Sequence, residues 1–143
     1  MATPSFVRVA DTELVFRLPK EDVFPADTDT PTEAAFFASS EDKVEGNRLN
    51  RRVAISVWDA RLTTTEQAIG ARDPALRLRR CDLPVNELHR LDGVQVIRWE
   101  IDGPGGDGHC GIEGLHTAIK ADKPRVSNLR RLVCEIAAKA AKR

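Results

Sequence analysis

A chain of 143 residues, 41% hydrophobic and 31% charged, is long enough for one globular, soluble domain with its own core. It has no run of eighteen apolar residues to span a bilayer, and its start, MATPSFVRVADTE, lacks the charged and apolar segments of a secretory signal. The formal net charge is zero, but residues 1–46 carry ten acids and four bases while residues 47–143 carry twelve acids and eighteen bases. Two faces of opposite sign, or internal neutralisation, would both follow. Three cysteines, Cys81, Cys110 and Cys134, fit free thiols in a reducing cytoplasm better than a disulfide framework. With no Tyr, five Phe and two Trp, a base-stacking nucleic-acid platform is disfavoured.

In chain order, residues 1–12 are expected to be loose. Glu13–Leu18 alternates as a strand that Pro19 stops. Residues 19–33, rich in Pro, Asp and Thr, read as a long loop. Ala34–Ser39 is a short apolar piece, expected as an edge strand. Glu41–Asn50 reads as a polar turn region centred on Gly46-Asn47. Arg52–Asp59 is the clearest strand, with Val53, Ile55 and Val57 on one face and Ala54, Ser56 and Trp58 on the other. A short helix follows, TTEQAIGAR, with Thr63 and Glu66 spaced as a capping box.

Leu76–Leu83 is expected as a strand, followed by a helical turn around Val85–Leu91 and a further strand, Val94–Ile101. Residues 103–108 open a glycine-rich loop, and a short strand is expected around His109–Leu115. The chain ends in a helix over Pro124–Ala141. Its Val126, Leu129, Val133, Ile136 and Ala140 form one apolar stripe. Strands and helices in this order predict a single α+β domain over residues 1–143. Its elements are a mostly antiparallel, twisted sheet, two short helices and the C-terminal amphipathic helix.

The stretch GPGGDGHCGIEGLH, Gly103–His116, holds six of the nine glycines. Gly105 and Gly106 could cradle an anion, or simply shape a loop between strands. It has neither a P-loop ending nor a clean G-x-G-x-x-G between strand and helix. His109, Cys110 and His116 lack the paired spacing of a zinc site, so no metal is expected. On a strand, His109 and Cys110 would point to opposite faces. Cys110 with a nearby histidine could still be a nucleophile, though a cysteine is often only a small core residue.

A further constellation joins Arg17, Arg48, Trp58 and Glu66. Hydrolysing the nicotinamide bond of NAD needs a cation for the pyrophosphate, an aromatic for the nicotinamide and a carboxylate for the oxocarbenium-like centre. These residues supply those types in that order. The arrangement resembles the RES-domain toxins, small bacterial relatives of ADP-ribosyltransferases that degrade NAD. Here GNRLN has Leu49 where that family has Trp, Trp58 stands where Tyr is usual, and Glu66 comes slightly early. The resemblance covers residues 14–90 and implies NAD as substrate, not as cofactor. The whole chain is also similar to a set of uncharacterised small bacterial proteins through FFASSED, LTTTEQA, GVQVIRWEI and GHCGIEGL; that likeness implies no activity.

Two functions are therefore expected. The first is a non-enzymatic cytoplasmic interaction module, an accessory or adaptor subunit of a larger bacterial complex of the defence or toxin–antitoxin kind. It would dock a protein partner through Arg125, Arg130, Arg131 and Lys139, or through the acidic loop bearing Asp27, Asp29 and Glu33. The alternative is the NAD-consuming enzyme, with Glu66 catalytic rather than a helix cap. Neither requires a cofactor or a membrane.

Overall fold

The computed structural model describes residues 5–48, 52–70, 77–100 and 108–142, with backbone alone for Ser5, Phe6, Arg48, Trp99 and Glu100. Six strands are described: β1 (Ser5–Arg8), β2 (Leu14–Arg17), β3 (Ala54–Asp59), β4 (Cys81–Pro84), β5 (Gln95–Glu100) and β6 (His109–Glu113). They form one antiparallel sheet in the order β1-β5-β6-β3-β2-β4. The helices are α1 (Ser40–Arg48), α2 (Thr65–Ile69), α3 (Val85–Leu88) and α4 (Lys123–Ala141), with 3-10 turns at Glu33–Phe36 and Lys120–Asp122. The architecture is α+β, as the order of patterns predicts.

The alternation in β3 decides the two faces of the sheet. Ile55 and Val57 lie opposite Ile112 and Cys110 of β6, and Val96 of β5 lies opposite Ile112. Directly opposed residues share a face, so these side chains form one apolar layer with Val15 and Leu83. Helix α4 closes that layer with Leu129, Val133, Cys134, Ile136 and Ala137. Each large aliphatic side chain buried there contributes about 1.5–3 kcal/mol. Val126 of the predicted stripe is also buried, while Ala140 is only half-buried. The opposite face carries a smaller cluster of Phe16, Leu18 and Ala68, packed by Trp58, Ile69 and Leu78. The Arg80 guanidinium lies over the Phe16 ring at 4.1 Å.

Five local expectations change. Residues 5–8 are not loose: they form β1, with Ser5 opposite Glu100 and Arg8 opposite Ile97, because β5 would otherwise leave an edge of unpaired backbone groups. Ala34–Ser39 is not an edge strand. Residues 33–36 wind into a 3-10 turn that buries Phe36 and leaves Phe37 exposed.

Glu41–Asn50 is not a turn region, since α1 occupies Ser40–Arg48. Its start is fixed by a reciprocal pair: the Asp42 N–H donates to Ser39 Oγ (3.1 Å) and the Ser39 N–H donates to Asp42 Oδ2 (2.9 Å). Between Leu78 and Leu83 the strand is confined to the Cys81 end, with an isolated bridge from Leu78 to Lys20; Leu76 lies outside the described residues. The capping box of α2 uses Thr64 and Gln67 rather than Thr63 and Glu66. The described short helices are thus three, not two.

The loop over residues 19–33 is irregular, as predicted, yet tied down. Phe24 is buried with Arg79 stacked on its ring at 3.8 Å, and Arg79 also donates to the carbonyls of Pro25 and Thr28.

Candidate binding cleft and basic surface

Arg17 leaves β2 beside the 3-10 turn and spends its planar fork on backbone. Nε donates to the Ala35 carbonyl (2.6 Å), one terminal nitrogen to Ser56 (2.6 Å) and the other to Phe37 (3.2 Å). The rigid five-donor geometry of guanidinium suits such a clamp, which a lysine could not reproduce. It pins the 3-10 turn to the sheet and so sets one wall of a cleft of about 470 Å³. Trp58, Ser56, Ser39, Ser40, Glu41 and Asp42 line that cleft with Arg17, Leu18 and Pro19.

Of the residues predicted to handle NAD, Arg17 and Trp58 therefore share a cleft. Glu66 is not among the residues that line it; it is exposed in the first turn of α2. Arg48 ends α1, and its side chain lies outside the described residues, as do Gly105 and Gly106. The carboxylates that line the cleft with Trp58 belong to Glu41 and Asp42, in the segment expected as a polar turn. The S-x-x-D spacing of Ser39 and Asp42 was the available signal.

Asp42 is 9% exposed. Its Oδ1 accepts from Ser56 Oγ at 3.0 Å, and Oδ2 is held by Ser39 as above. The Trp58 ring packs against His109, centroid to centroid 4.8 Å with planes tilted by 42°. Burial holds the His109 pKa below the ordinary histidine value, although Asp42 and Glu45 pull the other way.

His109 and Cys110 do point to opposite faces, since they stand opposite Trp58 and Val57 of β3. Cys110 is fully buried, with Sγ 3.5 Å from the Gly108 carbonyl oxygen. Burial, reinforced by the Asp59 carboxylate, pushes its thiol up to about 12. Burial likewise raises Cys81 to about 12 and Cys134 to about 11. All three thiols are protonated at neutral pH, and thiolate is the nucleophilic form. Among the described residues no group of three or more His, Cys, Asp or Glu is placed to hold a metal ion.

The three arginines predicted on α4 differ in what they do. Arg125 closes a two-pronged ion pair with Asp122 one turn back (2.7 and 2.8 Å), which helps start the helix. Arg130 is mostly buried. It donates to Glu33 Oε1 at 2.9 Å and to the Leu115 carbonyl at 3.0 Å, with its guanidinium 4.8 Å from the Phe37 ring centroid. Burial would raise the Glu33 carboxyl, but hydrogen bonds from Ser127 and Arg130 and the charges of Arg130 and Arg131 hold it below the ordinary glutamate range. Arg131 is 72% exposed and 3.9 Å from Glu33.

A basic, partly apolar surface surrounds that pair, and the sequence did not reveal its extent. His116 is held below the usual histidine value by burial and by the charges of Lys43 on α1 and Arg130 and Lys123 on α4. Elements far apart in sequence thus converge on one imidazole. Phe37 is 49% exposed beside Arg130, and Ile119, three residues after His116, is 66% exposed.

No protein-family model matches the chain, and comparison with curated proteins and with solved structures returns no match. No helix among the described residues is long and apolar enough to cross a membrane.

Proposed function

We propose that the protein is a non-catalytic interaction module, an accessory subunit that docks an acidic, apolar-anchored segment of a protein partner on the surface around Phe37. The exposed Phe37 ring, held under Arg130, is the observation that carries this reading. Aromatic residues and arginine are both enriched at protein interfaces relative to the rest of the surface. Lys43 and Lys123 add positive charge near His116, Arg131 adds it beside Glu33, the Arg130 partner, and among the described residues neither lysine forms an ion pair. Like charges brought to such a surface repel, so the partner's matching face is acidic. Arg130 and Glu33 hold the surface in shape, whereas Lys43 and Arg131 are the charges a partner would meet.

The test is charge reversal with retained fold. The double variant Lys43→Glu, Arg131→Glu should lose a partner that co-purifies stoichiometrically with the unaltered protein, by at least about tenfold. Lys139→Glu, more than two helical turns along α4 from Arg131, should leave it in place. Equal recovery of the partner with all three proteins would remove this surface from consideration.

A second reading keeps some support because Arg17 and Trp58 line one cleft. If the protein consumed NAD as the RES-domain toxins do, purified protein would deplete NAD and Glu66→Ala would abolish the loss. The interaction module predicts that NAD remains intact with either protein. The exposed position of Glu66 outside the cleft favours that outcome.

A further inference from the structure

We infer that the cleft beneath Trp58 is a binding site for an organic cation, an alkylammonium or guanidinium group carried on an apolar stem. The inference concerns a different surface from the Phe37 region and stands without it. An indole ring is the best of the aromatic faces for attracting a cation, and Trp58 lines the cleft while His109 supports its ring from β6. Asp42 supplies a nearly buried carboxylate in the same cleft. Its two oxygens accept from a hydroxyl and a backbone N–H, which are neutral donors. Among the described residues no cation forms an ion pair with it. A desolvated charge held only by dipoles is stabilised further when an opposite charge arrives.

Exposed Glu41 adds a second carboxylate to the lining. Arg17 is the positive charge among the lining residues, and its fork is turned onto the carbonyls of Ala35, Ser56 and Phe37. The described lining charges therefore leave one net negative. Neutral His109 adds no competing charge at physiological pH.

The stem has a place as well. Arg17, Leu18, Pro19 and Ser39 also line a second hollow of about 530 Å³, whose wall includes Val23, Ala34, Ala35 and Leu78 beside Lys20 and Asp22. A cation over Trp58 with a hydrocarbon portion reaching that hollow matches both ends. Two sources carry this chemistry: a Lys or Arg side chain followed by an apolar residue on a protein segment, or a free alkylamine.

Trp99→Phe leaves Trp58 as the lone tryptophan reporter, because the chain has two. Its fluorescence would be titrated with N-acetyl-Arg-Val-amide, with hexylamine, and with the neutral citrulline analogue of the peptide, each to about 10 mM. The expected result is a saturable change with the cations and none with citrulline. Binding should weaken roughly threefold with Glu41→Gln, an exposed site that leaves the fold intact. The Lys43→Glu, Arg131→Glu protein should bind as before. A tighter response to the peptide than to hexylamine assigns the site to a protein segment, and the reverse order to a small amine. No saturable response to either cation, an equal response to citrulline, or indifference to Glu41→Gln overturns the inference and leaves Glu41 and Asp42 as the first-turn acids of α1 alone.

Discussion

Gly114→Ala should lower the melting temperature by on the order of 10 °C or prevent folding. Gly114 follows β6 with φ +100°, a backbone conformation that side chains with a Cβ rarely adopt. A Cβ there would also collide with the Gly93 carbonyl oxygen, and would stand 3.0 Å from the Gly93 carbon and 3.1 Å from Val94 Cα. All three are backbone atoms and cannot swing aside. The Gly93 carbonyl is itself fixed by a hydrogen bond from Arg52 (3.0 Å), and Val94 leads directly into β5. Relief must therefore separate β6 from the turn that feeds its neighbour. Strain and overpacking together amount to roughly 2–5 kcal/mol, a large share of a domain's stability. Thermal unfolding followed by circular dichroism checks this; a variant melting within a degree or two of the parent would show that the strand end yields easily.

Arg17→Lys should destabilise the protein almost as much as Arg17→Met. An ammonium cannot span three carbonyls set in a fork, so part of the Ala35–Ser56–Phe37 clamp is lost in either case. Each partly buried carbonyl left without a donor costs about 1–3 kcal/mol. The 3-10 turn over residues 33–36 should loosen first, exposing the buried Phe36 and opening the chain to protease near Phe37 before global unfolding. Limited proteolysis read by mass spectrometry locates that cut. If Arg17 instead served substrate alone, both variants would melt with the parent and resist protease like it. The measurement thus separates a structural clamp from the phosphate-binding role implied by the RES-domain resemblance.

The strands that were legible are those whose pattern is local. Ile55 and Val57 alternate with Ser56 and Trp58, and β5 holds the adjacent apolar, buried pair Val96 and Ile97, so β3 and β5 can be read without knowing their neighbours. β1 escaped because its four residues acquire strand character only from β5, more than eighty residues away. α1 escaped because SEDKVEGNR has Val44 as its one large apolar residue, 64% exposed, so no apolar stripe marks it. Its capping pair was the remaining clue.

The α2 cap shows a different limit. Thr63-x-x-Glu66 and Thr64-x-x-Gln67 both satisfy the same rule, and only packing chooses. Thr63 is 6% exposed and its N–H is taken by the Asp59 carbonyl, which leaves Thr64 at the helix start. For the cleft, the aromatic and the arginine were visible in sequence. The carboxylates were not, because Asp42 joins Trp58 in the cleft only after α1 folds against β3, where Ser56 donates to it. The basic surface depends likewise on α1 and α4 meeting at His116.

The position of β1 also governs how the chain matures during synthesis. It is made before the other five described strands, yet its partner β5 follows only after β2, β3 and β4. β5 and β6 must then insert between β1 and β3, since the sheet runs β1-β5-β6-β3. No contiguous early segment can complete the sheet, so nascent chains that stop short of β5 carry Phe6 and Val7 without their native strand partner. Translation pausing in that interval would lengthen exposure of an unpaired apolar strand and increase dependence on ribosome-associated chaperones.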